Sequence, residues 1–497
     1  MRKLDYGSAT FAFVTLLIGG CATVEPGPDY LRVRDRTSEA TGVFETYQPG
    51  EDARIAELVE GRLADGLSVE DSITIALLNN PMLQASLFGV GVARADVVQA
   101  GLLSNPSLGV SLRLPSGGGL ANVETSLAQN IAELWQIPVR TRAAERALDA
   151  AILDVARRAA ALYVDTKQAY FTAVQAAELQ KVIQENLEVA RRLATLAEER
   201  QQAGASGRLE VNLARTAVIE AELQAESARL AADDARRRLA TLLGVSSRAS
   251  ELQLTDRLPA PPENTPDDDA LLQLALISRL DIAAASELVQ AAEAQLQTEY
   301  RRVFPVIELG VSMERDARQS QGGRDVLADT ARASIANGRL TAPEIQPRSE
   351  RDQDTEFVIG PSLSLELPIF DQNQAQIARA QFAFEQAVKT RVVLERALVQ
   401  EVHGVLDRAE TNWRLVRMYR ERSLPLAQEN LDLSQEAYRL GKASFLSVLE
   451  AQRFLLSSRR DYVNALGEAA MTLPELEQAV GRPLADIAAV ADVEDGL

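Results

Sequence analysis

The sequence predicts an α+β membrane protein, built as a tandem duplication, that crosses its membrane with strands. Three observations carry this expectation. Two stretches of the chain repeat one another in order, four short segments alternate apolar and polar residues, and a long segment is free of glycine and proline. Beyond the N-terminus, no apolar stretch reaches the ~20 residues that a membrane-spanning helix needs. A crossing must then be made by closed β-structure, because lipid offers no partner to an unpaired backbone group.

At the N-terminus, Arg2 and Lys3 precede the apolar run Ala9 to Ile18, the pattern of a signal peptide over residues 1–20. The run ends in Ile18-Gly19-Gly20-Cys21, which looks like a bacterial lipobox. Cys21 is then the lipidated first mature residue, and its covalent lipid is the only non-protein group expected. An ordinary signal sequence with a chance cysteine is the alternative. Ala22 stands where an aspartate would mark inner-membrane retention, which favours an outer-membrane address. Residues 21–64 follow as a lipidated N-terminal segment.

Composition excludes several classes. Cys21 is the only cysteine, so an internal disulfide, a thiolate zinc site and a CxxC redox centre are ruled out. His403, the only histidine, lies in a strongly helical stretch and reads as structural. A net charge of -19 argues against a nucleic-acid partner. No nucleophile–base pair, metal cluster or phosphate loop is visible, so no enzyme is expected.

The repeat is read in two registers. GASGRLEVNLAR from Gly204 aligns with GKASFLSVLEAQ from Gly441, and Gly244 then falls on Gly481. ALLNNP from Ala76 aligns with ALISRL from Ala275, and Asn105-Pro106 falls on Phe304-Pro305. The second offset is about 38 residues smaller, so the second copy carries an insertion, placed in the polar stretch 315–354 as a surface loop. Each half reads helix, strand, loop, strand, very long helix, tight turn, helix. The repeats span 65–248 and 269–484, joined by a linker at 249–268 and followed by a tail at 485–497.

Val139 to Ala203 lacks glycine and proline and is rich in Ala, Leu, Glu, Arg and Gln, all strong helix formers. Unbroken, it would reach ~95 Å at 1.5 Å per residue. Its counterpart, 375–440, is interrupted by Gly404 and Pro425, and a kink or break is expected near Leu424. The strand segments are Ser107 to Leu114, Val123 to Ile131, Ile307 to Glu314 and Phe357 to Leu367. Alternation over such lengths marks a half-buried strand, and it also fits a strand with one lipid face and one wet face. Two hairpins cannot close a barrel, so several chains would have to share one.

Together these features resemble the TolC-like outer-membrane factor family over nearly the whole mature chain. The carrying residues are Asn80-Pro81, Asn105-Pro106, the run Leu365 to Asp371 (LELPIFD), and Tyr438-x-x-Gly441-x-x-x-Phe445-Leu446-x-Val448-Leu449-Glu450-Ala451. The resemblance implies a homotrimer in which each chain gives four strands to a 12-stranded β-barrel in outer-membrane lipid. A long α-helical tunnel would continue it across the periplasm. It further implies an efflux duct whose tips dock on a periplasmic adaptor protein and an inner-membrane pump. The lipobox suits the lipoprotein branch found with resistance-nodulation-division pumps, and PIFDQNQ looks like the cobalt–zinc–cadmium branch. A type I secretion exit channel and a periplasmic coiled-coil adaptor lipoprotein stay open as alternatives.

The resemblance also places functional residues. Gly204, Gly207, Gly441 and Ser444 mark the tips and adaptor docking, although any helical hairpin wants a turn glycine. Glu210, Ser447 and Glu450 are candidates for the periplasmic aperture, with Ser447 replacing the first acid of a paired motif. A solvated helix face explains the acids as well. Arg113, Glu124, Glu308 and Glu366 fall on the non-apolar strand face and would line the lumen. Trp135, Phe304 and Phe370 sit at strand–helix junctions, where an aromatic belt or simple packing accounts for them.

Overall fold

The structure, a computed structural model, describes residues 22–114, 121–262, 266–303, 306–317, 326–340 and 355–483. Cys21, the signal segment, Phe304 and the tail from 485 onward lie outside the described residues. The chain divides into two units, one drawn from Asp96–Glu145 and Gln290–Gln386 and the other from the rest.

The smaller unit contains one antiparallel sheet in the order β1-β2-β3-β4, formed by Ser107–Arg113, Asn122–Asn130, Ile307–Ala317 and Thr355–Leu365. The strands fall within two or three residues of the alternating segments. Strand β3 and strand β4 extend beyond the expected hairpin, pairing Ala317 with Thr355. Part of the insertion is therefore ladder, and Val326–Asn337 within it is a helix rather than loop.

The larger unit is helical. Helices α1 (Gly27–Thr41), α2 (Asp52–Ala64), α3 (Val69–Asn79) and α4 (Pro81–Gly101) open the chain. The first long hairpin is α5 (Glu133–Gln202) with α6 (Arg208–Leu242). In the second copy, α7 (Asp268–Ser278) and α8 (Leu280–Arg301) precede β3, and α9 (Val326–Asn337), between β3 and β4, belongs to the smaller unit. The second hairpin is α10 (Gln374–Met418), a π-turn at Tyr419–Ser423, α11 (Leu424–Arg439) and α12 (Phe445–Val480). Among the described residues no single helix is long and apolar enough to cross a membrane.

Helix α5 runs farther than its glycine- and proline-free core. Pro138 lies near its start, where only the Leu134 carbonyl loses its helical donor. Gly404 does not interrupt α10, contrary to expectation: buried Val402, Val405 and Leu406 on either side of it hold the helix in the core, and the helix continues to Met418. Pro425 does perturb its helix. It has no N–H for the Glu421 carbonyl, and the Leu424 N–H bonds Tyr419, five residues back, giving the π-turn.

Both copies close on themselves by the same contact. Asn80 accepts hydrogen bonds from the Met82 and Leu83 N–H groups through Oδ1, capping α4, while its Nδ2 donates to the Leu242 carbonyl at 2.9 Å. In the second copy Arg279 Nη1 donates to the Ala479 carbonyl at 3.2 Å. Gly244 and Gly481 end the long helices with φ of 71° and 79°. A side chain at Gly244 would meet the Asn79 carbonyl oxygen at 2.5 Å, so the two backbones approach only because glycine is there.

Polar pairs fix how the hairpins register. Along antiparallel α5 and α12, Gln452 donates to Asn186 (3.0 Å), Gln175 to Asn464 (3.2 Å) and Lys167 to Glu477 (2.7 Å). Alanine-rich surfaces alone would tolerate sliding, whereas a misplaced buried amide or charge would lose its partner. Tyr163 also donates to Glu477 (3.0 Å); burial first, and the Glu477 charge second, push its phenol upward. The start of the linker is stapled, since the Leu67 N–H donates to the Gln253 carbonyl and the Asp256 N–H to the Tyr170 hydroxyl.

The N-terminal segment is likewise pinned. Asp29 is fully buried and accepts two bonds from Arg94, both 2.6 Å. An unpaired carboxylate there would cost several kcal/mol, so the bidentate guanidinium is what permits burial.

Candidate functional site

The two turn glycines occupy matching geometry. Gly204 and Gly441 have φ of 76° and 71°, the left-handed region that glycine enters without a steric cost. At the first tip the Ala205 N–H donates to Arg200 and the Gly204 N–H to Gln201; at the second, Lys442 donates to Ala437 and Gly441 to Tyr438. These paired bonds satisfy helix-end carbonyls in the same way at both tips. Gly207 then precedes α6 as its N-cap without a side-chain bond, whereas Ser444 caps α12 by accepting from the Ser447 N–H.

Under the turns the hairpins share a core that includes Leu193, Ala197, Val211, Leu431 and Phe445. Its polar edge is the Tyr438 hydroxyl, which donates to the Glu210 carboxylate. The Arg200 guanidinium lies over the Tyr438 ring, 4.5 Å from its centroid. Burial, then the Glu210 hydrogen bond and charge, push the Tyr438 phenol up to about 12. Glu210 is thus engaged across the two hairpins of one chain.

The other aperture candidates sit differently. The Ser447 hydroxyl donates to the Ser444 carbonyl at 2.6 Å, so it belongs to the helix cap. Glu450 is exposed and has no ion pair among the described residues. Sequence reading found Glu210 but missed its partner Tyr438, although the tyrosine three residues before Gly441 was among the motif residues. His403 Nδ1 lies 2.8 Å from Asp268 Oδ1, a contact between α10 and α7.

In the sheet, the register separates two faces. One carries Leu108, Val110, Leu112, Leu309, Val311 and Leu363, all largely exposed despite being apolar. On the other, Gly109, Ser126, Ser312 and Gly360 form one continuous row across the four strands. Arg113, Glu124 and Glu308 share this second face, and Arg113 pairs with Glu124 at 3.1 Å. Glu366 lies one residue past β4, its N–H donating to the Val306 carbonyl. Phe370 is almost fully exposed at the junction after β4, and Trp135 is partly exposed after β2.

Residues 73–245 and 271–482 match the family described as outer membrane efflux protein. The chain belongs to that family. Among curated relatives, the cobalt-zinc-cadmium resistance protein CzcC of Cupriavidus metallidurans is 24% identical over 434 residues, covering 84% of this chain and 91% of that protein. The pyoverdine export outer membrane protein OpmQ of Pseudomonas aeruginosa is 26% identical, covering 82% of each. In fold, the chain is similar to the Campylobacter jejuni CmeC outer membrane channel, with a TM-score of 0.66 at 17% identity over 85% of this chain and 87% of that one.

For an outer-membrane efflux channel the sheet's inverted exposure has a direct cause. A strand face of exposed leucines and valines suits contact with lipid rather than with a protein core. The four strands cross the outer membrane, and the efflux protein's long helices extend into the periplasm.

Proposed function

We propose that this efflux protein works as a homotrimer, a passive exit duct that receives its cargo from an inner-membrane pump of the resistance-nodulation-division type through a periplasmic adaptor. The carrying observation is the sheet. Among the described residues four strands leave β1 and β4 with free edges, and an open edge is not tolerated in lipid. Three copies supply twelve strands and join each β4 to the next β1. In this reading the repeats 65–248 and 269–484 are the two halves of each subunit, Cys21 carries a lipid anchor, and no chemistry is catalysed.

The tips at Gly204, Gly207, Gly441 and Ser444 are the adaptor docking points. Glu450, exposed and unengaged, is the better aperture acid, and Glu210 acts instead as a lock through Tyr438. Glu124, Glu308 and Glu366 outnumber Arg113 on the wet face, which favours passage of cations. Metal ions fit this charge; drug-like cations fit it equally. Planar-bilayer recordings test the reading: Glu308→Gln and Glu450→Gln each lower cation-over-anion selectivity, and unchanged reversal potentials in both would contradict a charged duct.

A further inference from the structure

The larger unit holds a cleft of about 410 Å³ between α5, α8 and α10, with the end of α12 at one rim and Ala40 of α1 beside it. Its wall is apolar: Ala160 and Val164 on α5, Ala284 and Leu288 on α8, and Leu394 on α10. Leu288 is 52% exposed there, although Ala284 one turn earlier is buried. The two repeats meet at this cleft, because α5 belongs to the first copy and α8 and α10 to the second.

The rim carries surplus positive charge. Asp154 accepts from both Arg157 and Arg158, at 2.7 and 2.8 Å, so one carboxylate is shared by two guanidiniums. Lys389, next to the lining residue Thr390, is exposed and has no ion pair among the described residues. Arg279, at the other end, is matched by Asp281 and Glu401. The excess therefore lies on the α5 and α10 sides.

The described residues stop at the same place. Gly481, which ends α12, lines the cleft. Arg482 Nη1 donates to the Glu39 carbonyl at 3.1 Å, and Pro483 packs beside Gly42. Residue 484 thus starts next to Ala40, on the rim. The fourteen residues 484–497 match the cleft in composition. Leu484, Ile487, Val490 and Val493 recur at every third position among alanines, and Asp486, Asp492, Glu494 and Asp495 supply the only charges. Their reach suffices, since even a wholly helical path covers ~21 Å, against ~14 Å of α8 between Arg279 and Leu288.

We propose that residues 484–497 lie in this cleft as a strap, with their aliphatic side chains against Ala284, Leu288 and Leu394 and their carboxylates toward Arg157, Arg158 and Lys389. Such a strap ties α5 of the first repeat to α8 and α10 of the second and takes the apolar wall out of water. A second copy of the chain is the competing cover for the same wall.

Labelling of Leu288→Cys in the detergent-extracted full chain separates the two. A water-soluble maleimide is used, and the product is read on its own peptide by mass spectrometry, which keeps Cys21 out of the signal. We expect labelling to speed up by about tenfold when the variant chain stops after Pro483, as a locally protected site does on losing its cover. The same gain is expected in a full-length chain that adds Ile487→Asp, which keeps the test open should the shortened chain fail to fold. Labelling that is already fast in the full chain overturns the strap. Labelling that stays slow in both altered chains also overturns it and puts a second copy over the wall. A short thiol cross-linker applied to the full chain with Leu288→Cys and Ile487→Cys gives a product of one-chain mass joining the two peptides; a two-chain product would assign the strap to a neighbour and overturn the proposal.

Discussion

Asn80 joins the start of the first repeat to its end, donating from Nδ2 to the Leu242 carbonyl at 2.9 Å while its Oδ1 caps the next helix. Arg279 makes the corresponding bond to Ala479. Asn80→Ala removes both functions, and we expect a loss of about 1–2 kcal/mol for the cap with more for the stranded carbonyl. Asn80→Asp keeps the cap and loses only the donor. Thermal denaturation therefore ranks the natural protein above the aspartate variant and the aspartate above the alanine; equal midpoints would remove Asn80 from the closure.

Tyr438 and Glu210 make the second cross-element bond to test. Tyr438→Phe removes a hydrogen bond to a charged group, worth about 1.5–3 kcal/mol, and leaves the ring under Arg200. We expect faster amide exchange at both tips and a higher open probability in bilayers. Tip exchange unchanged by the substitution would mean the apolar core alone holds the hairpins together.

The same phenol carries a pH signature. Its folded pKa is raised, so the stabilisation is fully present below the ordinary tyrosine value near 10 and is lost as pH rises through about 12. A difference ultraviolet titration, natural protein minus Tyr438→Phe, shows one phenol ionising near that upper value. Ionisation at the ordinary value would place the hydroxyl in water.

Pro425 accounts for the π-turn through its missing N–H. Pro425→Ala restores a donor for the Glu421 carbonyl, and the segment Tyr419–Ser423 then shows slower amide exchange as ordinary helix. An unaltered π-turn in the variant would show that packing around it, such as Ser423 against Ser458 (3.2 Å), sets the geometry instead.

The anchor assigned to Cys21 has a direct check. Cys21→Ala abolishes metabolic labelling with a radiolabelled fatty acid, whereas persistent labelling would refute that anchor.

The sheet and the tips were legible because their signals are local. Alternation at Leu108, Val110 and Leu112 needs only the neighbouring residues, and Gly204 and Gly441 announced themselves by repeating at one register. The duplication was legible for the same reason, and it also located the insertion before β4. What the sequence could not convey depends on distant partners. Nothing around Asp29 announces burial until Arg94 is placed beside it, and nothing around Glu210 announces the Tyr438 hydroxyl that donates to it. Gly404 misled because a lone glycine weakens a helix by only about 1 kcal/mol, less than packing supplies. The helix at Val326–Asn337 was hidden by polar surroundings that resemble a loop.

The central claim is that three copies close one barrel, and native mass spectrometry of the detergent-extracted protein tests it most directly. The account predicts a species of three times the mass of the mature chain, and a population of single chains or pairs would contradict it.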